Sequence, residues 1–185
     1  LGTHQKLYVQ EGDTFYDVTA VRNTTAAGDV TFAISNGSST LTVNDTSHGC
    51  NPGDFVRFRG AVSLGGNVTA AVLNTEHQVL ANVNANSYTI ALSVTANSSD
   101  SGNGGGSTAG QYYINAGLDE YVSGTGWGAS TWGDSTFGST SPVAVNSQLR
   151  LWSIDNFGVD TVAIPRGGPL YVWQSTNGTS AGTTG

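Results

Sequence analysis

Methionine is absent from the 185 residues, cysteine and lysine occur once each, and glutamate occurs three times. Charged residues make up 10% of the chain, against about 25% in an average globular domain. Exposed helix faces are built largely from Lys, Glu, Arg, Gln and Met, so this shortage excludes most helical architectures. The single Cys50 excludes an internal disulfide. Burial and sheet hydrogen bonds must hold the fold instead. No apolar run approaches the roughly 18 residues of a membrane helix. Thirteen acidic residues stand against six basic ones, giving a formal net charge of −7. Such a chain is not built to neutralise phosphates over a wide surface. The sequence opens at Leu1 with no signal-like segment, and is read as an interior piece of a longer product or a processed form.

What is abundant points to β-structure. Gly 26, Thr 23, Ser 20 and Asn 15 together supply 84 of the 185 residues. All are poor helix formers; Thr favours strands, while Gly, Asn and Ser favour turns. Aromatics at 9% and frequent β-branched residues argue against disorder.

Alternation places the strands. Lys6–Gln10 and Phe15–Thr19 flank the turn Glu11-Gly12-Asp13-Thr14 and predict a hairpin. The small polar stretch Asn23–Asp29 reads as a linker. Val30–Ile34 and Thr40–Val43 flank Asn36-Gly37, the strongest short hairpin signal. Phe55–Arg59 predicts a strand with both arginines on one face, and His77–Leu80 and Ser87–Leu92 predict two more. Val68–Leu73 fits a short helix or a strand. Asn97–Gly110 is Ser-, Gly- and Asn-rich and reads as a flexible loop or linker. Beyond it, Ser147–Ser153, Asp160–Ile164 and Leu170–Trp173 predict a three-stranded meander, with turns at Asp155–Gly158 and Pro165–Pro169. The expected fold is all-β: antiparallel propeller-like or meander sheets with an inserted small β-barrel or sandwich module. The expected division is 1–25 for the first strands of an outer sheet domain, 26–110 for the insert, and 111–185 for the return to the outer domain with a loose tail.

Three stretches carry a family resemblance. They are Leu1–Val9 with Asp17-Val18-Thr19; the inserted module with Thr40–Val43, His48-Gly49, Gly53–Phe58 and Gly65-Gly66; and Gly126-Trp127-Gly128 through Leu149–Ser153, Asn156-Phe157-Gly158 and Pro165–Tyr171. They resemble structural proteins of bacteriophage tails, in particular the nozzle or tail-hub proteins of short-tailed phages. The resemblance implies β-propeller-rich subunits in a ring around a DNA exit channel. Its partners would be other copies of the chain, neighbouring tail or portal-adaptor proteins, and passing DNA without sequence-specific binding. The resemblance also implies no membrane partner and a location in the virion. An acidic surface fits a channel through which DNA must slide. The alternative, from another class, is a glycan- or receptor-binding β-module of a tail fibre or extracellular adhesin. A polysaccharide-degrading enzyme is the third reading.

Candidate chemistry is sparse, and no enzymatic activity is expected. His4, His48 and His77 show no metal-ligand spacing and read as surface or turn histidines, with His48 bonding its loop backbone. Cys50 lies two residues from His48, but nothing nearby builds an oxyanion hole. The closest carboxylates, Asp13/Asp17, Asp119/Glu120 and Asp155/Asp160, read as turn residues, and no Asp-rich calcium loop occurs. No catalytic residue, cofactor or metal is therefore expected. The most distinctive motif is Trp127, Trp132 and Phe137, spaced by five and each followed by Gly. A step of five does not hold one face of a strand, whose side-chain period is two. These rings are assigned to a subunit interface or to the join between modules, with a local aromatic core as the plain alternative.

Overall fold

The structure, a computed structural model, describes residues 1–103, 107–118 and 149–177. The chain starts with the hairpin β1 (Tyr8–Glu11) and β2 (Thr14–Asp17), closed by Gly12-Asp13 with Gly12 at φ 60°. Next come β3 (Val21–Thr24), β4 (Thr31–Ile34), β5 (Thr40–Asn44) and β6 (Phe55–Arg59). The one α-helix among the described residues is the single turn α1 (Ala70–Leu73), where the Thr69 hydroxyl accepts the Val72 N–H. Then follow β7 (Glu76–Asn84), β8 (Ser87–Ala91), β9 (Asp100–Asn103) and β10 (Ala109–Tyr113). The last strands are β11 (Trp152–Phe157), β12 (Asp160–Pro165) and β13 (Tyr171–Trp173). The protein is an antiparallel all-β fold, as its composition requires.

Eight strands form one sheet in the order β3-β10-β6-β7-β8-β5-β4-β9. Its strands bury alternate residues: Phe32 and Ile34, Leu41 and Val43, Val56 and Phe58, Tyr88 and Ile90. The sheet cannot be flat. β6 and β4 are four strand steps apart, roughly 19 Å at the usual spacing, yet the Phe58 and Phe32 rings meet edge to face at 5.0 Å. Tyr112 on β10 and Tyr88 on β8 likewise meet at 6.2 Å across three steps. The sheet therefore curls so that its two halves share one core. β7 belongs to both halves: Glu76, His77 and Gln78 pair with β6, and residues from Val79 to Asn84 pair with β8. Register shifts between Val79 and Ala81, and between Asn82 and Asn84, let it bend. The two ends of the sheet, β3 and β9, do not pair with each other, so this is an open curled sheet rather than a closed barrel.

The segments read as linkers include the second half of β3, all of β9 and the first two residues of β10. Asn23 and Thr24 pair with Tyr112 and Gln111, and β9 pairs with β4. β3 and β9 are the edge strands of the sheet and lack apolar alternation, so their pairing came from the neighbouring strand and not from their own pattern.

Leu73 on α1 is fully buried, and Asn74 ties the helix down by bonding both the N–H and the carbonyl of Ala61. Beyond β6 the chain turns at Gly60, at φ 73°. A Cβ there would stand 2.5 Å from the backbone oxygen of Ser107. Gly60→Ala is expected to lower stability by about 2 kcal/mol, since left-handed strain alone costs about 1–2 kcal/mol and the clash adds to it. Urea denaturation measures this; a loss below half that value would show that the backbone at Ser107 yields freely.

A second, smaller core joins the two ends of the chain. Leu7 and Val18 of the first hairpin pack with Ala163 of the C-terminal meander, flanked by Val9, Trp152 and Trp173. The Trp152 indole N–H donates to the Thr3 carbonyl at 2.8 Å, and the Gly117 N–H donates to the His4 carbonyl at 2.7 Å. The meander strands lie a few residues beyond the predicted register, because the turn falls at Gly158-Val159 with Gly158 at φ 68°. Asp155-Asn156-Phe157, which reads as a turn, continues β11 instead.

Lys6 links the hairpin to the large sheet. Its ammonium donates to Asp17 at 2.7 Å and to Glu76 at the start of β7, and it lies 4.4 Å from the centre of the Phe55 ring. Burial alone would lower its pKa, but the hydrogen bonds to Asp17 and Glu76 outweigh that and raise it.

Candidate functional site

A buried polar network lies where β5 runs out. After Asn44 the chain turns sharply, with Ser47 at φ 57° and Gly49 at φ 63°, and folds the His48 ring beneath Tyr88 at 4.8 Å. His48 Nδ1 accepts the Cys50 backbone N–H at 3.0 Å. The ring proton is thereby left on Nε2, 3.1 Å from the Asn84 carbonyl. Beside it, the Tyr112 hydroxyl donates to the Asp45 carboxylate. Tyr112 has then spent its proton, so at 3.0 Å it accepts from the Tyr88 hydroxyl. Burial raises the pKa of both phenols, and together they form a protonated relay ending on Asp45. Burial also raises the Asp45 carboxyl; the Tyr112 hydrogen bond pulls it down, and the Asp29 carboxylate pushes it up again.

Cys50 is buried beside this network. Burial, opposed by the Arg22 guanidinium, pushes its thiol up to about 12. It is therefore a thiol at neutral pH, and the nearest histidine nitrogen is already bonded to a backbone N–H. As arranged, the two residues do not form a Cys–His nucleophile. Asp54 is equally committed, accepting the N–H groups of Asn51 and Ala116 and the Asn115 amide.

Asp45 also faces outward. It is 3% exposed, yet it lines two neighbouring cavities of about 400 and 410 Å³ that share Asp29, Asp45 and Thr46. The first is otherwise walled by Thr31, Asn44 and the β7–β8 turn, and the second by Asn23, Thr24, Thr25 and Ala26. The wall carries carboxylates, amides and hydroxyls. Among the described residues no group of three or more His, Cys, Asp or Glu stands close enough to hold a metal ion.

The residues singled out from sequence scatter. His48 and His77 are buried, at 2% and 7% exposed, and not at the surface; His77 Nε2 lies 3.1 Å from the Leu73 carbonyl. Asp17 pairs with Lys6, Asp155 accepts the Asn156 N–H, and Asp160 accepts the Ser175 N–H. Asp119 and Glu120 lie outside the described residues, as do Trp127, Trp132 and Phe137. Sequence reading missed Asp45, Asp29 and Tyr112, which come from three distant stretches. The only local signal was Asn44-Asp45-Thr46 directly after a strongly alternating strand.

No protein-family model matches the chain, and no curated protein matches it. One solved structure that it is similar to is the phage phi92 endosialidase. The TM-score is 0.42 at 19% identity, over 60% of this chain and 15% of that one. This chain thus spans about a seventh of that protein's length, and neither its family nor its activity carries over.

Proposed function

We propose that the chain is a structural component of a phage tail that works by packing against other copies of itself, as a nozzle- or hub-like ring subunit would, and that it is not an enzyme. The phage assignment rests on the sequence runs that resemble tail proteins. One observation supports the packing: the outer face of the C-terminal meander. Strand pairing puts Phe157, Val162, Ile164 and Val172 on the face opposite Trp152, Ala163 and Trp173. Phe157 is 76% exposed, Ile164 41% and Val172 44%. Leu151 and Leu170 flank them, also exposed. Large apolar residues gathered on one face are characteristic of interaction surfaces. The free edge of β13, unpaired among the described residues, offers backbone groups to a further strand. A second copy is the occupant that the ring resemblance favours. Trp127, Trp132 and Phe137 belong to the same reading as further contact residues.

Sedimentation velocity at micromolar concentration tests the packing. The chain is expected to associate, and Phe157→Ser with Leu170→Ser is expected to return it to monomer with unchanged circular dichroism. A chain that is monomeric throughout would overturn the packing. Mass spectrometry of purified phage particles tests the assignment, with peptides of this chain expected among the tail proteins.

A further inference from the structure

We propose that Lys6 and Asp17 join in a self-made cross-link, an isopeptide bond from the Lys6 amine to the Asp17 side-chain carbonyl, with Glu76 as the catalytic base. The idea goes beyond the packing of the meander and holds for a single copy of the chain. Lys6 is the only lysine in the sequence, and it is 8% exposed. Its Nζ lies between two carboxylates, donating to Asp17 Oδ2 at 2.7 Å on one side and to Glu76 Oε1 on the other. The Phe55 and Tyr113 rings stand 4.4 and 5.6 Å from it and keep water away. Asp17 ends β2 and Glu76 opens β7, so the three groups converge only in the folded chain. A well-oriented intramolecular pair reacts at effective molarities of about 10⁵–10⁸ M. That advantage drives an amine and an acid to condense, as they do not at ordinary concentrations in water.

Thr19 decides which carboxylate is the electrophile. Asp17 Oδ1 accepts the Thr19 backbone N–H at 2.9 Å and the Thr19 hydroxyl at 2.5 Å. That hydroxyl in turn accepts the Leu7 N–H at 3.0 Å, which leaves its own proton for Asp17. Thr19 is 2% exposed, so both donors act in a site with little water. Two fixed donors on Oδ1 stabilise the negative charge that grows there when an amine adds to the carboxyl carbon. Oδ2, the oxygen that faces Lys6, is then the one that leaves. No backbone N–H or hydroxyl among the described residues does the same for Glu76, whose carboxylate bonds to Lys6.

The reaction balances within the cluster. The Lys6 ammonium passes a proton to Asp17 Oδ2 along their hydrogen bond, giving a neutral amine and a neutral acid. Burial favours the neutral forms. The ammonium is held against losing its proton to bulk water, so the transfer runs between the partners and not through solvent. The amine lone pair adds to Asp17 Cγ. Glu76 takes one proton from the nitrogen and returns it to the Oδ2 hydroxyl, which departs as water. The C–O bond breaks as the amide forms, one water is released, and Glu76 ends as it began. Nothing is oxidised or reduced. Until the bond forms, Lys6 is the ammonium of the ion pair, and the energetics of that pair belong to the unreacted chain. The product closes the first hairpin covalently in a chain that has no disulfide.

Mass spectrometry of the full chain tests this. After incubation of the folded protein at neutral pH, the denatured chain is expected to be lighter by one water, whereas a chain incubated unfolded in urea keeps its full mass. Trypsin locates the bond. It cleaves after Lys6 and Arg22, so the unreacted chain yields peptides 1–6 and 7–22. Acylated Lys6 is not cleaved, and the reacted chain yields one 1–22 peptide lighter by a water. Glu76→Gln is expected to slow conversion at least a hundredfold, the lower end of the about 10²–10⁴-fold typical of general acid–base catalysis, with circular dichroism confirming the fold. Asp17→Asn is a second probe, since its leaving group is ammonia: its 1–22 peptide should be lighter by one ammonia instead. Complete cleavage after Lys6 in the folded parent chain, however long incubated, would overturn the proposal. So would water lost from peptide 7–22 alone, Lys6 joined to the peptide that contains Glu76, or equal conversion rates in the parent and a folded Glu76→Gln chain.

Discussion

Lys6→Ala is expected to destabilise the fold by about 3 kcal/mol, at the low end of the cost of breaking a buried ion pair by removing one partner. The lysine is 8% exposed, and its two carboxylates are only partly open to water, with side chains 20% and 30% exposed. Without the ammonium, Asp17 and Glu76 face each other across the join between hairpin and sheet. The ring contacts to Phe55 and Tyr113 are lost as well. Chemical denaturation of the purified chain measures the effect. A loss under about 1 kcal/mol would place the cluster with ordinary solvent-screened surface pairs. Linkage gives an independent check. The folded-state pKa of Lys6 is raised above 10.5, so its contribution is complete below pH 10.5 and is lost as the pH climbs through the folded value. The parent chain should weaken steeply over that alkaline range, and the Lys6→Ala chain should lack that part of the slope.

Tyr112→Phe should cost about 2 kcal/mol, within the range of about 1.5–3 kcal/mol for a hydrogen bond to a charged group. The change removes the proton donor to Asp45 and the acceptor for Tyr88 together, at a site with almost no solvent access. The pH dependence follows from Asp45. Its folded pKa is raised above 3.8, chiefly by burial. The ionised form therefore penalises the native state at neutral pH, and the penalty disappears as the pH falls through the folded value toward 3.8. The Tyr112 hydrogen bond is the largest influence holding this pKa down, so its loss widens the window upward. The destabilisation in Tyr112→Phe should be greatest near pH 7 and shrink toward pH 4. Paired denaturation curves at these two values measure it, and an equal loss at both would mean that the hydroxyl packs without stabilising the carboxylate.

The hairpins were legible where a single strand carries its own signal. Phe32 and Ile34, then Leu41 and Val43, alternate around Asn36-Gly37, and the structure pairs them as read. β3 and β9 were not legible, because edge strands reading Val-Arg-Asn-Thr and Asp-Ser-Gly-Asn have no apolar period to read. The candidate groove was hidden for a different reason. Asp29, Asp45 and Asn84 are separated by 16 and 39 positions in the sequence, and nothing local marks them as neighbours.

By itself the sequence determined the fold class. With so little Lys and Glu, no Met and nearly half its residues Gly, Thr, Ser or Asn, the chain can satisfy its backbone only in strands and turns. It also determined which side of most core strands turns inward, since a two-residue period leaves no choice once one face is apolar. Only the tertiary structure decided that the eight strands curl until Phe58 meets Phe32, and that His48 and His77 lie inside. It likewise decided that the sole lysine ties the first hairpin to β7 and that Asp45 stands between a tyrosine relay and an open groove. These outcomes depend on contacts between residues far apart in the sequence, set by strand order and the bend in β7, and no local pattern of side chains encodes them.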